Sequence, residues 1–141
     1  MILACAGLVR LGLQDRISAR IAIEEMLPAV GQGAIAIETK IDNEFAGESA
    51  SRLDHSETRL ACLAERAFLR GLGGGCQFPI AAHAILDDGL LKLDGLVAKP
   101  DGSEILRDSL SGSAKEAEAL GAALAEQLIQ RGANMLLNAD D

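Results

Sequence analysis

The sequence predicts an α+β protein: a C-terminal domain in which a three-stranded antiparallel sheet packs with helices, preceded by an incomplete α/β portion. Three observations predict it. Leu60, Leu63, Ala64, Ala67 and Phe68 recur at three- and four-residue spacing, which draws one apolar stripe along a helix. Beyond it, Asp88-Gly89 and Pro100-Asp101-Gly102 are turn signals that divide three strand-like runs. Ala117, Leu120, Gly121, Leu124 and Leu128 then line one side of a second long helix.

Taken in order, Ile2-Leu3-Ala4-Cys5-Ala6 is a short apolar run ending at Gly7, the pattern of a strand buried inside a parallel sheet. Ile21-Ala22-Ile23 and Ile35-Ala36-Ile37-Glu38 are two further strand candidates, separated by a loop carrying Pro28 and Gly31 to Gly33. Three such short strands make a poor core on their own, so residues 1 to 53 are expected to lean on contacts from outside. Helical signals begin at Asn43. Asp54 with Glu57 three residues on resembles a capping box, and Gly71 supplies a C-terminal stop. Leu91, Lys92, Leu93 and Asp94 alternate as a half-buried strand does. Ser113 and Glu116 open the last helix and Gly132 closes it, giving a two-layer domain from about His55 to Leu137.

Composition excludes several function classes. With 141 residues, 49% of them hydrophobic and 24% charged, the chain has the material for a core and for one domain or a domain plus a fragment. A net charge of -8, from 13 basic against 21 acidic residues, argues against a nucleic-acid partner. Only 2% of residues are aromatic, with no Trp or Tyr, so stacking platforms for bases are also missing. No run of eighteen apolar residues and no secretory leader is found, and the expectation is a protein that neither spans a membrane nor is secreted. Three cysteines, an odd number and widely spaced, fit neither a disulfide framework nor a zinc pattern, which points to a reducing cytoplasm. His55 and Cys62, two turns apart on one helix, and the more distant His83 lack metal-ligand spacing.

Cys76 is the most informative residue. It sits in Gly73-Gly74-Gly75-Cys76-Gln77-Phe78-Pro79-Ile80, between the first long helix and the first strand of the meander. Three successive glycines leave the sulfur approachable by an electrophile. A thiol is a strong nucleophile even when only a small part is ionised.

Gly74-Gly75-Cys76-Gln77-Phe78-Pro79-Ile80 resembles the segment by which porphobilinogen deaminases, also called hydroxymethylbilane synthases, attach their dipyrromethane cofactor. Leu27-Pro28-Ala29-Val30-Gly31-Gln32-Gly33-Ala34 is similar to a second signature of that family, and Ala4-Cys5-Ala6-Gly7-Leu8-Val9-Arg10-Leu11-Gly12 to a third. All three stand in the family's order. The resemblance implies a transferase of tetrapyrrole, hence porphyrin and heme, biosynthesis. It condenses four porphobilinogen molecules into hydroxymethylbilane, with release of ammonia, on a dipyrromethane held by a thioether to Cys76.

The resemblance also implies a domain plan: residues 1-33 end the second domain, an α/β unit of periplasmic-binding-protein type. Residues 34-53 cross back into the first, and residues 54-141 form the third, cofactor-anchoring domain. The family's catalytic aspartate has no counterpart here, so no catalytic residue is assigned and the isolated chain is expected to be inactive. Missing domains would have to come from elsewhere; full-length relatives are usually monomeric. Arg10 and Gln32 are implied as contacts for the cofactor, Arg10 through bidentate pairing with a carboxylate. Arg66, sharing a helix face with Arg70, is a weaker candidate. Two other classes stay open: a small-molecule-binding or regulatory α+β module without catalysis, and an interaction fragment pairing through its apolar runs.

Overall fold

The computed structural model describes residues 1-74 and 78-137; the proposed anchor Cys76 lies outside them. The chain has two parts of different character. Residues 1-53 form an arm with little regular structure: helix α1 (Cys5–Arg10), a 3-10 turn (Gln14–Arg16) and helix α2 (Glu44–Ser51). Residues from Ser56 on form helix α3 (Ser56–Gly71), strands β1 (Ile80–Asp87), β2 (Leu90–Ala98) and β3 (Ile105–Ser113), then α4 (Ala117–Gln130) and α5 (Ala133–Leu137).

The predicted α+β domain is found. The strands make one antiparallel sheet in the order β1-β2-β3, with Leu93 opposite Ala84 on one side and Leu110 on the other. The hairpins fall at the predicted turns, Asp88 and Gly89 both taking positive φ between β1 and β2. Helix α3 lies over β1 and α4 over β3, and the helices pack on each other. The shared core holds Phe68, Leu91, Leu93, Val97, Leu124 and Leu128, each buried to 0% exposure. The helices approach so closely that a β-carbon on Gly121 would fall against the Ala64 carbonyl and 2.8 Å from the Ala67 methyl.

Two local expectations are corrected. The cap of α3 is His55, whose Nδ1 accepts from the Thr58 N–H at 3.3 Å, while Asp54 pairs with Arg59 at 3.0 Å. Asp54 sits too far upstream to reach the first free N–H groups of a helix that starts at Ser56. The last helix is broken into a 3-10 turn (Ala114–Glu116) capped by Ser113, then α4, then α5 beyond Gly132.

The largest difference lies in the arm. Ile2-Ala6, Ile21-Ile23 and Ile35-Glu38 form no strand, and Cys5 to Arg10 is helical instead. A strand is held by a ladder, and among the described residues the only ladders are β1-β2 and β2-β3. These runs meet no sheet edge, and their side chains stay open, Ile35 at 89% and Ile2 at 64% exposure. No helix among the described residues is long and apolar enough to cross a membrane.

Candidate functional site

The arm meets the domain along the free edge of β1, with one further bond at β3. In an edge strand, outward N–H groups need partners from outside the sheet. Ala82 N–H donates to the Pro28 carbonyl at 3.2 Å, and Ala84 N–H donates to Glu65 Oε1 at 2.8 Å. The other Glu65 oxygen accepts from Gly31 N–H at 2.7 Å. Leu27 is buried and Val30 packs against the core, while Arg107, facing away from α4, donates to the Glu24 carbonyl at 2.7 Å.

A cleft of about 290 Å³ opens between the arm and the domain. Gly31, Gln32, Gly33 and Ala34 form one wall; the other comes from α3, with Cys62 and Glu65, and from β1, with His83. Gly31 and Gly33 take φ of 72° and 88°, so two successive turns reverse the chain around Gln32, closed by Gln32 N–H to the Ala29 carbonyl and Ala34 N–H to the Gly31 carbonyl. A side chain on either glycine would project into open space, with nothing within 4 Å of its β-carbon.

The thiol of Cys62 is half-buried in this wall. Burial pushes it above the ordinary thiol range and the Glu65 carboxylate adds to the effect, with the Arg66 guanidinium pulling the other way. Neutral thiol is therefore the resting form of Cys62. The described residues contain no group of three or more His, Cys, Asp and Glu placed to hold a metal ion.

Of the residues singled out in the sequence, Gln32 lines the cleft. Arg10 does not: it is exposed in the last turn of α1, a helix position rather than the end of a strand. Arg66 is exposed on α3, outside the lining. Arg70, which shares its face, pairs with Glu118 of α4 at 2.7 Å. Glu65, on the same helix, pairs with neither arginine and is a buried acceptor of two backbone N–H groups. The signal that would have revealed it was a carboxylate between Ala64 and Ala67 on the apolar stripe. Cys62 and His83, 21 residues apart, meet on one cleft through the α3–β1 packing, which spacing alone does not show.

Fold and cleft define an α+β domain strapped to a glycine-turn arm, with its cleft on the seam between them. Two family models fall on these two parts: "Porphobilinogen deaminase, C-terminal domain" on residues 59–130, and "Porphobilinogen deaminase, dipyromethane cofactor binding domain" on residues 1–48. The chain is 50% identical over 139 residues to the porphobilinogen deaminase of Chromobacterium violaceum, an alignment covering 99% of this chain and 45% of that protein. The chain belongs to the porphobilinogen deaminase family. It spans a little under half the length of that relative.

The family's cofactor, dipyrromethane, can be tested against the cleft. Its open glycine turns suit a flat pyrrole ring, which needs backbone approach without side-chain obstruction. Its lining does not suit the ring's acid side chains, because no Lys or Arg is among the described lining residues. The cleft fits the ring and not the acids.

Proposed function

We propose that this chain is the cofactor-anchoring portion of a hydroxymethylbilane synthase, a transferase that condenses four porphobilinogen molecules into hydroxymethylbilane with loss of ammonia. The observation that carries the proposal is the match of both family domains in order along a chain 50% identical to a porphobilinogen deaminase over 99% of its length. Residues 1-33 then belong to the second domain, of α/β type, residues 34-53 to the crossover toward the first, and residues 54-141 to the third.

Within this reading Cys76 carries the dipyrromethane as a thioether, and Gln32 offers its side-chain amide to the ring. Arg10 and Arg66 pair with carboxylates once further parts of the fold bring those groups to them. Both guanidiniums are exposed, which supports that role more than a packing one. The odd, widely spaced cysteines, of which Cys5 and Cys62 are free, support a reducing cytoplasmic setting. The isolated chain has negligible turnover, since the family's catalytic aspartate has no counterpart in it.

Intact mass tests the anchor. Produced together with the N-terminal part of a family member, the chain is expected to gain the mass of two pyrroles and to react in an aldehyde colour test for dipyrromethane. The Cys76→Ser variant gains neither. An unchanged mass in the co-produced chain, or an increment that survives Cys76→Ser, removes Cys76 from the role. Hydroxymethylbilane formation by the purified chain alone, free of host enzyme, overturns the expectation of negligible turnover.

A further inference from the structure

Glu65 is buried at 6% exposure on α3, and none of the ion pairs among the described residues includes it. A buried carboxylate without a cation is costly unless hydrogen bonds hold its charge. Here the bonds come from two directions: Gly31 N–H of the arm at 2.7 Å and Ala84 N–H of the β1 edge at 2.8 Å, one on each oxygen. A carboxylate suits this junction because both its oxygens accept; a glutamine of the same shape would keep one acceptor and face the other N–H with a donor. The remaining ties of the arm are less directional or lie farther from the turn. Leu27 and Val30 dock through apolar contact, and the Pro28 carbonyl accepts from Ala82 N–H at a longer 3.2 Å.

We infer that Glu65 is the positioning residue for Gln32. Its carboxylate brackets Gly31 to Ala84, holds the glycine turns against the β1 edge, and so fixes where the Gln32 amide stands on the cleft. What that amide contacts rests on the proposed function; the bracket itself does not. Gln32 makes no side-chain hydrogen bond among the described residues, so its backbone is what places it.

Glu65→Gln in the full chain tests the bracket by amide proton resonances and hydrogen exchange. In the parent chain the Gly31 and Ala84 amide protons are expected downfield, as donors to a charged acceptor, and both protected. In the variant at least one moves upfield, and Gly31 exchange rises about tenfold or more, the loss of a charge-assisted bond. Leu93 and Leu124 amides keep their rates. Unchanged Gly31 resonance and exchange overturn the inference, and so does a rise spread equally over all slow amides, which would mark a purely structural acid. Should the variant fail to fold, the parent chain decides: a Gly31 amide exchanging at an unprotected rate overturns the bracket. The two-pyrrole mass on Cys76 is independent of these readouts, so failure of the bracket and failure of the functional reading are told apart.

Discussion

The ring of Phe68 lies on the bare backbone of Gly95: a β-carbon placed on that glycine would stand 2.6 Å from Cζ of the ring and 2.8 Å from Cε2. Leu124 closes the same space, with Cδ2 2.9 Å from that position. The centre of β2 is thus the floor on which α3 and α4 both rest, and its tolerance for a methyl group is nil. Gly95→Ala is expected to cost about 3 kcal/mol in urea unfolding, the upper part of the usual range for overpacking. Phe68→Leu withdraws the far end of the ring, so the double variant should lose less than the sum of the two singles. Strict additivity would show that ring and glycine do not compete for the same volume.

How far the sequence could be read follows from where each part finds its contacts. The apolar stripes of α3 and α4 and the turns around β2 are local patterns, and the domain that buries them lies in the same stretch of chain, so pattern and structure agree. The runs Ile2-Ala6 and Ile35-Glu38 have an equally good local pattern. Strand formation is settled by a hydrogen-bonding neighbour, however, and among the described residues they have none. Gln32 lines the cleft on a turn that the flanking Gly31 and Gly33 announce locally. Glu65 was not legible in this way, because its role depends on Gly31 and Ala84, which lie 34 and 19 residues away.

Asp108 gives the domain an acid-sensitive joint. Its carboxyl is held below the usual range first by the Ser109 N–H, against some desolvation, then by Arg131 at 2.7 Å and by Gln127 at 2.8 Å on α4. A carboxyl depressed on folding favours the folded state above its unfolded value, about 3.9, and that contribution fades as pH falls through the lower folded value. Asp108→Asn should therefore be less stable than the parent at pH 6, with the two unfolding midpoints drawing together below about pH 4. A constant gap from pH 6 down to pH 2 would deny Asp108 this role.

Cys62 titrates in the opposite sense. Its thiol is raised by burial and by Glu65, so the folded state favours the neutral form; this contribution is present below the unfolded thiol's value and lost as pH rises through the folded one. In a Cys5→Ser, Cys76→Ser background, maleimide labelling of Cys62 should reach half its maximal rate at a higher pH in the folded chain than in urea. Arg66→Gln removes the one opposing charge and should move that midpoint up again. Coincident curves for folded and unfolded chains would show that the cleft does not shelter this thiol.

The arm and the domain should separate in amide exchange. Residues Ser56 to Leu137 contain the core, and their slowest amides are expected in β2 and in the facing turns of α3 and α4, where Leu93, Phe68 and Leu124 are fully buried. In the arm the stretch from Glu24 to Gly31 carries the ties to the domain, through the Glu24 carbonyl, Leu27, the Pro28 carbonyl and the Gly31 amide. Amides near Ile2, Ile21 and Ile35 have no ladder and should exchange orders of magnitude faster in a dilute sample of the chain, since protection follows the free energy of local opening. Addition of the N-terminal part of a family member should slow them selectively, as the exposed apolar side chains of Ile2, Ile21 and Ile35 become covered. Equally slow exchange across arm and domain in the chain alone would mean that the arm is a folded unit in its own right, and the division near residue 54 would have to be abandoned.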